Sequence, residues 1–152
     1  MTRAAREVLE DSRVALAGFS DGIQGREWRV KWISAVVLLR AVGHVLDKVD
    51  GDNNDSLALA IQEAWRELQS TKPEPAIFWQ FINDERNNIL KEYLINAGQG
   101  VTVNLGSVPP HVTYHYVINS GPFAGREQRQ LIGDAIDWWQ CYLDRVDQLA
   151  AV

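Results

Sequence analysis

Only one of the 152 residues is a cysteine and only three are histidines. Cys141 by itself can neither close an internal disulfide nor build a zinc cage, which fits a reducing compartment. No His-Glu-x-x-His pair, phosphate-cradling glycine loop or Gly-x-Ser-x-Gly elbow occurs, so the common metalloprotease, P-loop and hydrolase signatures are all missing. Long apolar runs are missing too. The longest, from Trp32 to Leu39, falls far short of the ~20 residues needed to cross a bilayer, and no membrane span is expected. The opening segment, Met-Thr-Arg-Ala-Ala-Arg-Glu, alternates charges with small residues and has no apolar signal core, so the expected compartment is the cytoplasm. A cationic stripe is also lacking. Fifteen basic side chains face twenty acidic ones, and the balance holds in both halves, 10 to 12 over residues 1–76 and 5 to 8 over residues 77–152. Extended binding of duplex DNA draws its affinity from many neutralised phosphates, and this distribution excludes it. A small site acting on one RNA phosphate needs only a few cations and stays compatible.

What the chain does have is apolar material in helical register. With 46% hydrophobic and 23% charged residues it reads as one domain over residues 1–152, and a chain of this length buries ~70% of its extended surface on folding. Val8, Leu9, Ala15, Leu16 and Phe19 mark a first helix from Ala4 to Phe19. Trp28, Trp32, Ala35, Val36, Leu39, Val42, Gly43 and Leu46 line one face of a second, Arg26 to Val49, with Ile33 and Val37 as a further strip; such a helix is central or covered on two sides. Asp50-Gly-Asp-Asn-Asn-Asp is a turn. It lacks a bidentate glutamate in calcium-loop register, so no metal and no cofactor is expected. Leu57, Ile61, Ala64, Trp65 and Leu68 form the stripe of a third helix, Asp55 to Gln69. A fourth helix is expected to start at Pro75, whose ring suits a first helical position, and to run to about Ala97 before Gly98.

Strict alternation then replaces helical spacing. Val101, Val103 and Leu105, followed after Gly-Ser-Val-Pro-Pro-His by Val112, Tyr114, Tyr116 and Ile118, predict a hairpin over about residues 100–119. A lone hairpin is marginal in water, so its apolar face must lean on the helices or on a second subunit. From about Gly125 a last long helix carries Leu131, Ala135, Trp138, Tyr142, Val146 and Leu149. The expected fold class is all-α: an up-and-down bundle of about five helices with a β-hairpin inserted before the last. The six tryptophans mostly fall on apolar stripes and read as core filling, with one or two at an interface; Cys141, between Trp139 and Leu143, reads as a small packed residue.

The fourth helix raises the functional question. At 100° per residue from Ile82, Phe78, Ile89, Tyr93 and Arg86 fall at about −40°, −20°, +20° and +40°, which sets Arg86 within the apolar stripe, with Asn87 at about +140° and Glu85 at about −60°. A guanidinium there needs a partner: a carboxylate of a neighbouring helix, a phosphate-like anion, or a second subunit. Glu85 is placed to meet a cation.

The segment Phe81-Ile-Asn-Asp-Glu-Arg86-Asn87-Asn-Ile-Leu-Lys-Glu-Tyr93 resembles the motif helix of HEPN-type domains, in which an arginine, a polar residue and a short spacer precede a histidine. The resemblance implies a small, commonly dimeric helical bundle. Many such domains are metal-independent RNases of toxin or defence systems, whose arginine steadies the scissile phosphate while the histidine takes a proton. Only Arg86 and Asn87 match the motif; where the histidine would stand, the chain has Lys91, Glu92 and Tyr93, and Tyr93 alone shares the face of Arg86. A phenol's pKa of ~10 does not suit a base at neutral pH, unlike an imidazole's ~6.5. His44, one turn from Arg40, or His111 and His115 of the hairpin would have to be borrowed. The leading expectation is therefore a non-catalytic homodimer that binds a regulatory protein partner, or an RNA or nucleotide phosphate at Arg86 and Asn87. The alternatives are an RNase using Arg86 with Tyr93 or His44, and a purely structural module of a phage or mobile element.

Overall fold

The helical periodicities fold into α1 (Arg3–Ala17), α2 (Gly25–Val45), α3 (Asp55–Ser70), α4 (Asp84–Glu92) and α5 (Gln128–Ala150). Before the last helix the alternating segments form an antiparallel hairpin of β1 (Ala97–Asn104) and β2 (His111–Ile118). This is a computed structural model, and it describes residues 1–152. The chain is mostly helical, but two eight-residue strands make "all-α" an overstatement. No helix is long and apolar enough to cross a membrane.

The second helix buries its expected main face, but the second strip is not covered: Ile33 is half-buried and Val37 exposed. The helix packs against α1, α4 and α5, and it buries Trp28, Trp32, Ala35, Val36, Leu39 and Val42. Leu131, Ile132, Ala135, Ile136, Trp139, Leu143 and Val146 of α5 close the same core from the other side, against α1 and α3. Cys141 departs from expectation: it is exposed. Two positions from either Trp139 or Leu143 is about 200° round a helix, so a residue between two buried ones at that spacing faces outward.

Thr2, before α1, offers no side-chain cap, and the first free N–H groups of that helix find a partner elsewhere in the chain. α2 passes into a π-helical turn, Leu46–Asp50, whose last residue is buried and accepts from the N–H groups of Ala4 and Ala5, both at 2.9 Å. Asp147 of α5 accepts from Thr2 N at 2.7 Å and from Arg6 Nη2 at 2.8 Å. Two carboxylates thus face the positive end of α1.

The fourth helix differs most from the reading of its sequence. Ile77–Asn83 is π-helical, and the α4 that follows stops at Glu92, short of Ala97. Tyr93 takes the left-handed conformation, φ 54° and ψ 34°. What holds the chain away from the helix axis is a set of hydrogen bonds around Glu85 and Asn96. The buried Glu85 carboxylate accepts from Trp32 Nε1 at 3.1 Å and from Asn96 N at 3.0 Å. Asn96 then accepts from Ser120 N at 3.1 Å and donates to Ser120 O at 2.9 Å. The strand therefore begins at Ala97, where a helix end was expected.

The hairpin register runs from Ala97 opposite Ile118 to Asn104 opposite His111. Only its base leans on the helices: Tyr116 and Ile118 are buried, and Tyr116 stacks on Trp28 with centroids 3.7 Å apart and planes 6° from parallel. Val101, Val103, Val112, Leu105 and Val108, nearer the tip, are exposed. From Tyr93 to Gly125 there is no aspartate, glutamate, lysine or arginine.

Burial pushes the Glu85 carboxyl above the usual glutamate range, against the two hydrogen bonds that favour its charge. Glu85→Ala leaves the Trp32 and Asn96 donors unpartnered, and it is expected to lower the unfolding free energy by about 2–3 kcal/mol in denaturant titrations. Glu85→Gln keeps the accepting oxygen. A carboxyl raised on folding favours the native state below its unfolded value and loses that contribution as pH rises through the folded one, so the Gln variant should gain stability relative to the parent between pH 4 and pH 8.

Candidate anion site

Around α4 the buried side chains are Phe78, Phe81, Ile82, Glu85 and Ile89. Ile77–Asn83 is π-helical, so the 100° wheel does not carry through Phe78 and Phe81, and the buried side chains themselves show the stripe to run through Phe81 and Glu85. Glu85 then faces the core. Arg86 sits on the flank of the stripe, half-buried, a correction to its expected place within it. Glu85 meets no cation; its partners are the indole N–H and the backbone amide already described.

Arg86 donates from Nη1 to Asn87 Oδ1 at 3.0 Å and forms no ion pair, so the expected salt bridge to a neighbouring helix is not made. What stands near it is positive charge. Arg40 of α2 is half-buried without an ion pair, and burial together with Arg86 holds its guanidinium below the usual arginine range. His44, one turn further along α2 and exposed, is held below the ordinary imidazole value by burial of its ring, by Arg40 and by Arg86, with Asp47 opposing more weakly. Two arginines and a histidine from α2 and α4 thus act on one another with no carboxylate among them to neutralise the arginines. Asn87, also half-buried, orients Arg86 through its amide oxygen.

The other expected residues lie elsewhere. Tyr93 is 60% exposed, and its left-handed backbone takes it off the helical face it was expected to share with Arg86. His111 is exposed at the start of β2. His115 lies over Gly100, where a Cβ would stand 2.6 Å from its Nε2, and borders Phe19 and Trp28. Of the three histidines, His44 alone joins Arg86. Arg40 was legible only as the neighbour of His44; its position four residues before that histidine, on a helix apolar on two sides, was the available signal. No group of three or more His, Cys, Asp or Glu side chains is placed so that it could hold a metal ion.

Chemically, such a cluster can hold an anion. Two guanidiniums offer forked donors to phosphate or carboxylate oxygens, and the imidazole can add a third contact once protonated. Comparison with protein-family models, with curated proteins and with solved structures finds no match to this chain.

A tyrosine in the left-handed region is strained relative to glycine by about 1 kcal/mol. Tyr93→Gly is therefore expected to leave the fold as stable or up to about 1 kcal/mol more stable in thermal and denaturant unfolding, with no change at the Arg40–His44–Arg86 cluster.

Proposed function

We propose that the chain binds a phosphate-bearing ligand, RNA or a nucleotide, at Arg40, His44, Arg86 and Asn87, without transforming it. The observation that supports this most directly is that α2 and α4 bring Arg40 within the field of Arg86, beside His44, with no ion pair formed by either arginine. Desolvation first, and then mutual repulsion, holds Arg40 and His44 below their ordinary values, and a bound anion offsets both by favouring their charged forms. The likeness of the α4 segment to a HEPN motif helix agrees with this reading. It adds the expectation of a homodimer in which two such clusters face one ligand.

A second reading is favoured by one observation. His44 is exposed, neutral at pH 7, and close enough to Arg86 to feel its charge, which is the arrangement a general base needs beside a bound phosphate. On that reading the chain is a metal-independent RNase with His44 in the histidine's role. Proton delivery to the leaving oxygen would come from a second copy in the expected homodimer.

Calorimetric titration with a short single-stranded RNA and with adenosine monophosphate tests the binding. Arg86→Ala and Arg40→Ala are each expected to weaken it about tenfold, the loss of one charge-assisted contact. No binding by either ligand overturns the proposal. The sign of the pH dependence follows from His44: its value is depressed in the free protein and raised by a bound anion, so affinity should increase as pH falls from 8 towards 5, and His44→Gln should flatten that slope. Incubating labelled RNA in EDTA separates the two readings. Intact RNA supports binding alone; cleavage abolished by His44→Ala supports the RNase.

A further inference from the structure

Beside the cationic cluster, α2, the Leu46–Asp50 turn, α3, the Ile77–Asn83 segment and α5 enclose a cavity of about 420 Å³. We propose that this cavity is a binding site for a small aromatic acid, with the ring system in the cavity and the acid group at Arg40. The volume lies in the range of small-molecule sites, which combine mainly apolar, aromatic walls with a few placed polar groups.

The walls meet that description. Ile61, Leu68, Phe78 and Trp139 are buried, and Trp65 and Tyr142 complete an aromatic lining. The rings are fixed by one another: Trp65 meets Phe78 edge-on at 6.0 Å, Phe78 meets Trp139 at 5.9 Å and 88°, and Trp139 meets Tyr142 at 5.6 Å and 87°. Gly43 shapes the site from α2. A Cβ there would stand 2.9 Å from Trp139 Cη2 and 3.3 Å from Arg40 Nη1, so the glycine lets the indole and the guanidinium both close on the helix.

The polar groups on the lining point to the ligand's chemistry. Trp139, 2% exposed, contributes the face of its ring rather than a polar group. The Tyr142 hydroxyl makes no hydrogen bond within the chain, and burial and Glu67 keep it protonated and able to donate. Arg40 has no ion pair. The one carboxylate on the lining, Asp47, is taken by Lys48 at 2.8 Å, and Glu67, beyond Tyr142, is held by Arg145 at 2.8 Å. The Tyr142 hydroxyl and the Arg40 guanidinium, two donors beside an aromatic floor, suit a flat apolar body carrying acceptor oxygens. Because Arg86 does not line the cavity, the site is separable from the phosphate-binding reading even though Arg40 and His44 border both.

Fluorescence titration of the full chain with 8-anilinonaphthalene-1-sulfonate, beside its neutral relative N-phenyl-1-naphthylamine, tests the site. Saturable binding of one sulfonate per chain is expected, with quenching of tryptophan emission. Arg40→Met should weaken the sulfonate about tenfold and leave the neutral amine unchanged. Gln62→Trp, at an exposed position on the cavity rim, should weaken both probes while circular dichroism and the melting temperature show an intact fold. Arg86→Ala should affect neither probe, whereas it weakens RNA or nucleotide if the phosphate reading holds. The proposal is overturned if neither probe saturates, if Gln62→Trp leaves both unaffected, or if sulfonate binding is lost with Arg86→Ala alone.

Discussion

The placement of everything near the site depends on one buried carboxylate. Glu85 joins three parts of the chain that are distant in sequence: the indole of Trp32 in the middle of α2, its own helix α4, and the amide of Asn96 at the foot of the hairpin. Asn96 extends the linkage to Ser120 on the return strand. A carboxylate accepts from several donors at once without offering any, so one side chain can gather a helix and a loop that present only N–H groups. By facing inward, Glu85 also fixes where its successor goes. Arg86 is carried about 100° further round, to the border of the stripe and towards α2, where Arg40 and His44 stand.

The acidic majority of the chain makes that cationic spot stand out. The formal charge is −5, yet the acids that fold the molecule are committed elsewhere. Asp50 and Asp147 hold the start of α1, Glu127 accepts from the first N–H groups of α5, and Glu67 holds Arg145. Neither Arg40 nor Arg86 forms an ion pair with any of them. A local positive potential within a negative surface selects for small anions and against long polyanions, which matches the absence of any extended basic stripe.

Much of this fold could be read from residue spacing. The first three helices and the last agree with their periodicities to within a few residues, because their stripes are long and their stops are strong. The fourth was misread at both its end and its face. Its stop rests on Tyr93 adopting a conformation that glycine usually supplies, and on hydrogen bonds from Asn96 to residues far along the chain; neither leaves a mark in local pattern. Its face was misplaced because Ile77–Asn83 is π-helical, and a wheel of 100° per residue does not hold through Phe78 and Phe81. The candidate site was half legible. Arg86 and His44 stood out by type and position, but that they share a locality with Arg40 follows from how α2 and α4 pack. The aromatic cavity was invisible, since it depends on Gly43 reading as an ordinary member of an apolar face when its role is to admit two large side chains.

The uncharged stretch from Tyr93 to Gly125 divides the molecule by its response to electrolyte. At the start of α1 the polar links are ionic, with Arg6 held by Asp144 and Asp147 at 2.7 and 2.8 Å; a Debye length of about 8 Å at physiological strength leaves such contacts largely unscreened, and only molar salt, with a length of about 3 Å, reaches them. The hairpin instead rests on backbone pairing, amide contacts and the stacking of Tyr116 on Trp28. Brine therefore reaches the ion pairs of the first helix, while the strands hold no ion pair for it to act on and their one tie to a carboxylate, Asn96 to Glu85, is buried.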